Sequence, residues 1–450
     1  MLIEIALALA TSVIGLPAAE VSGAPAIEFH SIVTSDSPSP FVGPVVDTTG
    51  SLGTATFSAR TLTSLASMPA DSIPQFFASR PGAIEQILAS PPPAQEVALW
   101  WGDLASDSQV ALESASPQLL GNLEGVPYTI RDVSNRTVLD ETIVELTAVV
   151  DSDAGRAVQQ SARQQLNMLS SISESLAFDR AAPERTLITL DVTGQGKAAI
   201  VLGDLNEADY VSFLVPGMFF TIEGQMSYWA DAADALYCEQ QEWLDYFEAQ
   251  SVFTRNETVA TVAWIGYDTP NLTNVGAIDN ANQGRDTLAQ AIIGLQALRG
   301  SDQPYIAVVA HSYGTTAAMM ALSEYDFDID ALAMVGSPGS PAKSVDDLHV
   351  RNGNVFVGEA AWDPIPNSSY FGADPGTESF GAQSLGVGGA FDVVTKQSLA
   401  GSVGHNEYFT PGSESMRNFA LLCIGRSDLV IPEHAPAVER AFGSLAGPSS

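Results

Sequence analysis

The chain has 450 residues, 46% hydrophobic and 8% aromatic, enough to bury the core of one large or two medium soluble domains. With 53 acidic residues against 18 basic ones the formal net charge is −35, and a surface of that sign repels phosphate, which excludes nucleic acid and anionic membranes as partners. The basic residues include only three lysines, Lys197, Lys343 and Lys396, and the acidic ones are spread without a long run, so the acidity reads as a solvated surface.

Residues 5–19 form a mildly apolar stretch like the apolar core of a secretory signal. Glu4 is acidic, however, and no Lys or Arg precedes Arg60, so a terminal helix or strand in a cytoplasmic protein is the first reading and a signal with a misassigned start the second. The stretch is too short for a transmembrane span of about 20 residues. Residues 31–53 are rich in Ser, Thr, Pro and Gly and read as a linker. Helical patterns follow at 59–68, 73–78, 82–89 and 138–176, the last interrupted near 151–155. Between them Trp100, Trp101 and Gly102, the run 117–127, and Arg131 to Arg136 read as an ordered, packed loop with a structural role. The expected division is an N-terminal segment 1–53, a helical region 54–180 acting as lid or buttress, and a catalytic domain 181–450.

From residue 185 the pattern changes. Residues 185–191 alternate as a strand does, 193–196 carry turn residues, and 197–202 form a second strand, which together make a β-hairpin. Further strands are expected at 210–215, 258–265, 305–311, 331–335 and 355–357, with helices at 225–249 and 282–298. Strands alternating with helices after one hairpin imply a mostly parallel sheet covered on both faces, with ligands beyond the carboxyl ends of the strands.

One such end carries the strongest chemical signal. The apolar run Ile306, Val308, Val309 stops at Ala310-His311-Ser312-Tyr313-Gly314, and small helix-compatible residues follow. A serine on a sharp strand-to-helix turn exposes its hydroxyl at a helix N-terminus, and the pattern departs from G-x-S-x-G only in Ala310. A nucleophilic serine needs a base, and the base needs a group to hold its tautomer, in the chain order serine, acid, histidine. Asp363, just past a late strand, is the expected acid, with Glu359 the alternative. His405, in the glycine-rich stretch 401–409, is the expected base. His311 reads as a structural or pocket-wall neighbour, His349 precedes the acid, and His434 lies in the C-terminal tail. The oxyanion hole is expected from the N–H groups of Tyr313 and Met218, the latter in the Pro216-Gly217-Met218 loop. Phe219, Phe220, Trp264, Tyr267 and Tyr313 are candidates for an apolar substrate pocket.

Cys238 and Cys423 form no C-x-x-C and no metal-ligand spacing, and no two of the five histidines stand at i, i+4. Two half-buried thiols are expected, with a single disulfide left open, and no metal or cofactor.

The segments WW at 100, LLGNLEGVP at 119, RD and SNR at 131–136, VPGM at 215, WIGYDTP at 264, AHSYGT at 310, VGSPG at 335, WDPI at 362 and GHNEYF at 404 resemble a bacterial α/β-hydrolase family long filed as a domain of unknown function. The resemblance covers about two thirds of the chain and leaves out residues 1–53 and those after Gly425. It implies an α/β-hydrolase fold preceded by helices, with a triad on Ser312, Asp363 and His405, and no particular substrate. The expected activity is hydrolysis of small-molecule carboxylic esters through an acyl-enzyme. An amidase or peptidase with the same triad is the alternative, as is a non-catalytic hydrolase-like binding protein.

Overall fold

The computed structural model describes residues 48–177, 183–250, 256–271, 274–366 and 368–433. The apolar N-terminal stretch, most of the predicted linker, and His30 and His434 lie outside them. Among the described residues no helix is long and apolar enough to cross a membrane.

Among the described residues eight α-helices precede the sheet: α1 (Thr48–Ala66), α2 (Ile73–Ala78), α3 (Ala83–Ala89), α4 (Ala94–Asp103), α5 (Ser106–Ala115), α6 (Pro117–Asn122), α7 (Tyr128–Asp151) and α8 (Arg156–Leu176). Helix α1 starts earlier than the pattern suggested and takes in residues 48–53, expected in the linker. Gly50 and Gly53 lower helix propensity there, by about 1 kcal/mol each, without ending the helix. Prolines begin the short helices, as in α2 and α6, where the missing N–H is not needed. The expected packed loop around 100–136 is largely helical instead. Trp100 and Trp101 belong to α4, and Arg131 to Arg136 belong to α7. Composition misled because the Asn, Asp and Arg of this stretch, which read as loop residues, serve tertiary contacts.

Those contacts cover the edge of the sheet. Strand β1 (Arg185–Asp191) is outermost, and β2 (Lys197–Leu202) pairs antiparallel with it as the hairpin pattern required. On the open side, Asn122 Oδ1 accepts from the Leu190 N–H and Asn122 Nδ2 donates to the Leu190 carbonyl, both at 2.9 Å. Asp132 Oδ1 accepts from the Leu187 N–H at 2.6 Å, Asn135 Nδ2 donates to the Leu187 carbonyl at 2.9 Å, and Arg136 donates to the Arg185 carbonyl at 2.6 Å. An edge strand with free N–H and C=O groups is a template for pairing with another chain, and here side chains from α6 and α7 occupy those groups. Buried Arg131 is held by Glu124 through two hydrogen bonds, one of them at 2.8 Å.

The main sheet and its covering helices continue with β3 (Tyr210–Val215), α9 (Ile222–Gln250), β4 (Val259–Ile265), α10 (Asp279–Arg299), β5 (Tyr305–His311), α11 (Tyr313–Glu324), β6 (Ala331–Val335), β7 (Val355–Gly358), β8 (Gln383–Ser384) and α12 (Glu414–Cys423), and a separate two-stranded ribbon pairs Phe391–Asp392 with Gln397–Ser398. The eight strands lie in the order β1-β2-β4-β3-β5-β6-β7-β8, and only β2 runs antiparallel to its neighbours. Successive side chains in a strand point to opposite faces. In β3, Phe213 packs toward α10 and α11 while Leu214 packs toward α8, α9 and α12; in β5, Val308 and Val309 divide in the same way. Both faces are therefore buried, and the strands read as continuous apolar runs. This is the α/β-hydrolase architecture that the strand pattern and the resemblance implied. The cysteines are both free, but Cys238 is exposed and Cys423 buried, where two half-buried thiols had been expected.

Replacing Asn122 by alanine leaves both Leu190 backbone groups without their partner. The expected result is a loss of about 1–3 kcal/mol in urea-induced unfolding, and an unchanged transition midpoint would mean that water replaces the side chain at no cost.

Candidate active site

Strand β5 ends at His311, and Ser312 turns the chain into α11 with φ 54° and ψ −129°. A non-glycine residue rarely occupies this region, at a cost on the order of 1–3 kcal/mol, and here the surroundings impose it. The Ser312 N–H donates to the Val335 carbonyl of β6 at 2.9 Å, and the strand before and the helix after are buried on every side.

The structure brings Ser312, His405 and Asp363 together from three loops at the carboxyl ends of the strands. His405 Nε2 lies 2.7 Å from Ser312 Oγ, and His405 Nδ1 lies 2.9 and 2.8 Å from the two oxygens of Asp363. Asp363 also accepts from the Tyr408 hydroxyl at 2.6 Å and from the Ile365 N–H at 2.9 Å. Burial pushes its carboxyl up, but hydrogen bonds from His405, Tyr408 and Ile365 outweigh that and hold it below the usual carboxylate range. An ionised Asp363 only accepts, so Nδ1 carries the imidazole proton and Nε2 offers its lone pair to the serine hydroxyl. Glu359, the alternative acid, turns toward Gly376.

Two partners of this arrangement were not singled out from sequence. Tyr408 is fully buried; its oxygen accepts from the Ala360 N–H at 2.9 Å while its hydroxyl is donated to Asp363, so it links the acid to the end of β7. Burial and the adjacent Asp363 charge raise its pKa, which keeps it a donor. Gly336, just past β6, has φ 61°, and a Cβ there would stand 2.9 Å from both Asp363 Oδ2 and His405 Cε1. The GHNEYF segment held the first signal and VGSPG the second, but only packing shows what they touch.

The loop after β3 lies against the serine. A Cβ on Gly217 would sit 2.5 Å from the Ser312 Cβ, so only glycine allows this approach. Met218 follows, and its N–H has no hydrogen-bond partner among the described residues. Tyr313 is the first residue of α11, where an N–H has no intrahelical acceptor. Phe219 has φ 63°, and it packs half-buried with Val275 against Met218 and Ile365. Trp264 and Tyr267, expected to face substrate, are buried behind the loop. Tyr267 stacks between Trp264 and Tyr313, with centroids 5.9 and 6.4 Å away, and donates its hydroxyl to the Pro216 carbonyl at 2.7 Å. The Tyr313 side chain is tied in turn to Ala277 and Ala281. Phe220 is also buried, against Trp229. His349 is bonded through its backbone to Leu322 and Ile329, away from the triad residues.

Removing the Tyr408 hydroxyl tests the network. Because the Asp363 pKa is depressed in the folded state, its contribution is complete above the ordinary carboxylate range and is lost as pH falls through the lowered value. In Tyr408→Phe the contribution should be smaller and its loss complete at a higher pH, read as a shallower acid-dependent fall in melting temperature across the carboxylate range than in the wild type. Superimposable wild-type and variant profiles would show that the hydroxyl does not hold the charge.

Residues 191–373 match the family model described as alpha/beta hydrolase; they include Ser312 and Asp363 and stop short of His405. An uncharacterized protein of Mycobacterium tuberculosis H37Rv is 26% identical over 406 residues, 79% of this chain and 60% of its own. The chain thus spans about 60% of the length of that relative. An uncharacterized protein of Mycobacterium bovis is 27% identical over 209 residues, 43% of this chain and 74% of its own. Among solved structures, a hyperthermophilic esterase from the archaeon Pyrobaculum calidifontis is 14% identical at TM-score 0.35, over 66% of this chain and 98% of its own. The chain has the α/β-hydrolase fold, and over residues 191–373 it is similar to the alpha/beta hydrolase family.

Proposed function

We propose that this protein is a serine hydrolase acting on carboxylic esters through an acyl-enzyme. The observation that carries this reading is the unbroken hydrogen-bonded chain from Asp363 through His405 to a serine at a strained turn. Ser312 Oγ attacks the ester carbonyl carbon while His405 Nε2 takes the hydroxyl proton, and Asp363 stabilises the imidazolium without taking its proton. The carbonyl oxygen, now an oxyanion, accepts from the N–H groups of Met218 and Tyr313, and removing one such donor typically costs about 3 kcal/mol in the transition state. Collapse of the tetrahedral intermediate breaks the ester C–O bond, and His405 returns its proton to the leaving alkoxide. Water then repeats the sequence on the acyl-enzyme, releasing the acid and restoring Ser312. Esters are the easier substrates for such a triad because an alkoxide is a better leaving group than an amine, although His405 would protonate either. Phe219, beside Met218, is the substrate-facing aromatic on this reading.

A fluorophosphonate should label Ser312, located by peptide mapping, and p-nitrophenyl esters of short and long acyl chains should be turned over. Ser312→Ala is expected to lose at least about 10⁴-fold in kcat, and Asp363→Asn roughly 10³–10⁴-fold. A folded wild type that is neither labelled nor active on any chain length would overturn the reading in favour of a binding protein.

A further inference from the structure

His311 has no place in the proton path from Ser312 to Asp363, yet it is buried with its ring centroid 4.6 Å from that of His405. Its Nε2 lies 2.7 Å from the backbone carbonyl oxygen of His405. A carbonyl oxygen only accepts, so Nε2 must carry the proton. The other nitrogen, Nδ1, is buried without a hydrogen-bond partner among the described residues. An apolar side chain would avoid that penalty, since Phe220, Tyr408 and Phe409 form the surrounding wall. The one partnered nitrogen of His311 is thus spent on the main chain of His405.

Adjacent residues of the elbow thus grip one residue of the base loop twice. The Ser312 side chain meets the imidazole of His405, and the His311 side chain meets its main chain. Asp363 orients the imidazole from its Nδ1 side, and the bond from His311 to the main chain sets where that imidazole starts relative to the serine. We propose that His311 is a positioning residue, whose Nε2–H anchors the main chain of His405 so that the imidazole stays aligned with Ser312 Oγ through acylation and deacylation. The proposal rests on the reading of Ser312 and His405 as nucleophile and base. The titratable groups facing His311 are His405, Asp363 and Tyr408. Burial, and then the neighbouring His405, lower its pKa to about 3, so it adds no positive charge beside the imidazolium that forms on His405.

The test compares His311→Leu, which removes the donor, with His311→Gln, whose amide N–H has a similar reach. Should the leucine variant fail to fold, His311→Asn, too short to reach the carbonyl, takes its place. The donor-free variant should lose about 30-fold or more in kcat with KM nearly unchanged, in keeping with the cost of misplacing a reacting group, and the glutamine variant should recover most of it. Long-range ¹⁵N–¹H spectra of the wild type should show His311 as the Nε2–H tautomer, neutral across the range in which ordinary histidines titrate. The His405 Nδ1–H proton should exchange with water faster in the donor-free variant. Retained kcat, a glutamine variant as impaired as leucine, or a His311 Nδ1–H tautomer would overturn the proposal. If wild type and Ser312→Ala are equally inactive, the hydrolase reading has failed, and the tautomer and exchange measurements still decide whether His311 anchors His405.

Discussion

Ser312 holds a backbone conformation that an isolated serine would not keep. It persists because β5 and α11 are each locked into the sheet and its covering layer, and because the Ser312 N–H is bound to β6. The rest of the site is built outward from that fixed point. The loop after β3 approaches through Gly217, the loop after β6 turns away through Gly336, and His405 arrives from a loop about ninety residues later in the chain. A parallel sheet makes this convergence possible, since every strand from β3 to β7 ends on the same side and delivers its loop to one edge.

Polar groups are used sparingly in the interior, and where they occur they join elements. Asn122, Asp132, Asn135 and Arg136 occupy the edge of β1 with hydrogen bonds that a further strand would otherwise make. Gln240 of α9 bridges Ser212 of β3 and Thr261 of β4 at 3.0 Å each, beneath the sheet. Buried Arg417 and Asp392 tie α12 to the chain before it. Each costs desolvation and finds at least one partner in a different element, so it specifies which surfaces meet. Helices α6 and α7 are thus fastened to the sheet by a row of directional bonds.

Aromatic residues near the site divide by what their polar atoms do. Tyr267, Tyr313 and Tyr408 each donate a hydroxyl, to Pro216, Ala277 and Asp363 respectively, and so place loops and a carboxylate. Trp264 backs that stack, whereas half-buried Phe219 has no polar atom to place.

The alternation of strand and helix from residue 185 onward, the hairpin and the elbow were legible because each depends on local chemistry: β-branched runs, turn residues and a serine between small neighbours. The chain order of Ser312, Asp363 and His405 was legible for the same reason, as residue types at loop positions. What escaped were the helical run around Trp100, the one around Asn135, whose polar side chains are explained by a strand edge some fifty residues away, and the contacts made by Tyr408, Gly336 and His311. Composition and periodicity determined the class of fold and the candidate chemistry, since these follow from neighbours along the chain. Which imidazole faces the serine, which carboxylate faces the imidazole and which aromatics are buried were decided by packing, because those distances join residues far apart in sequence.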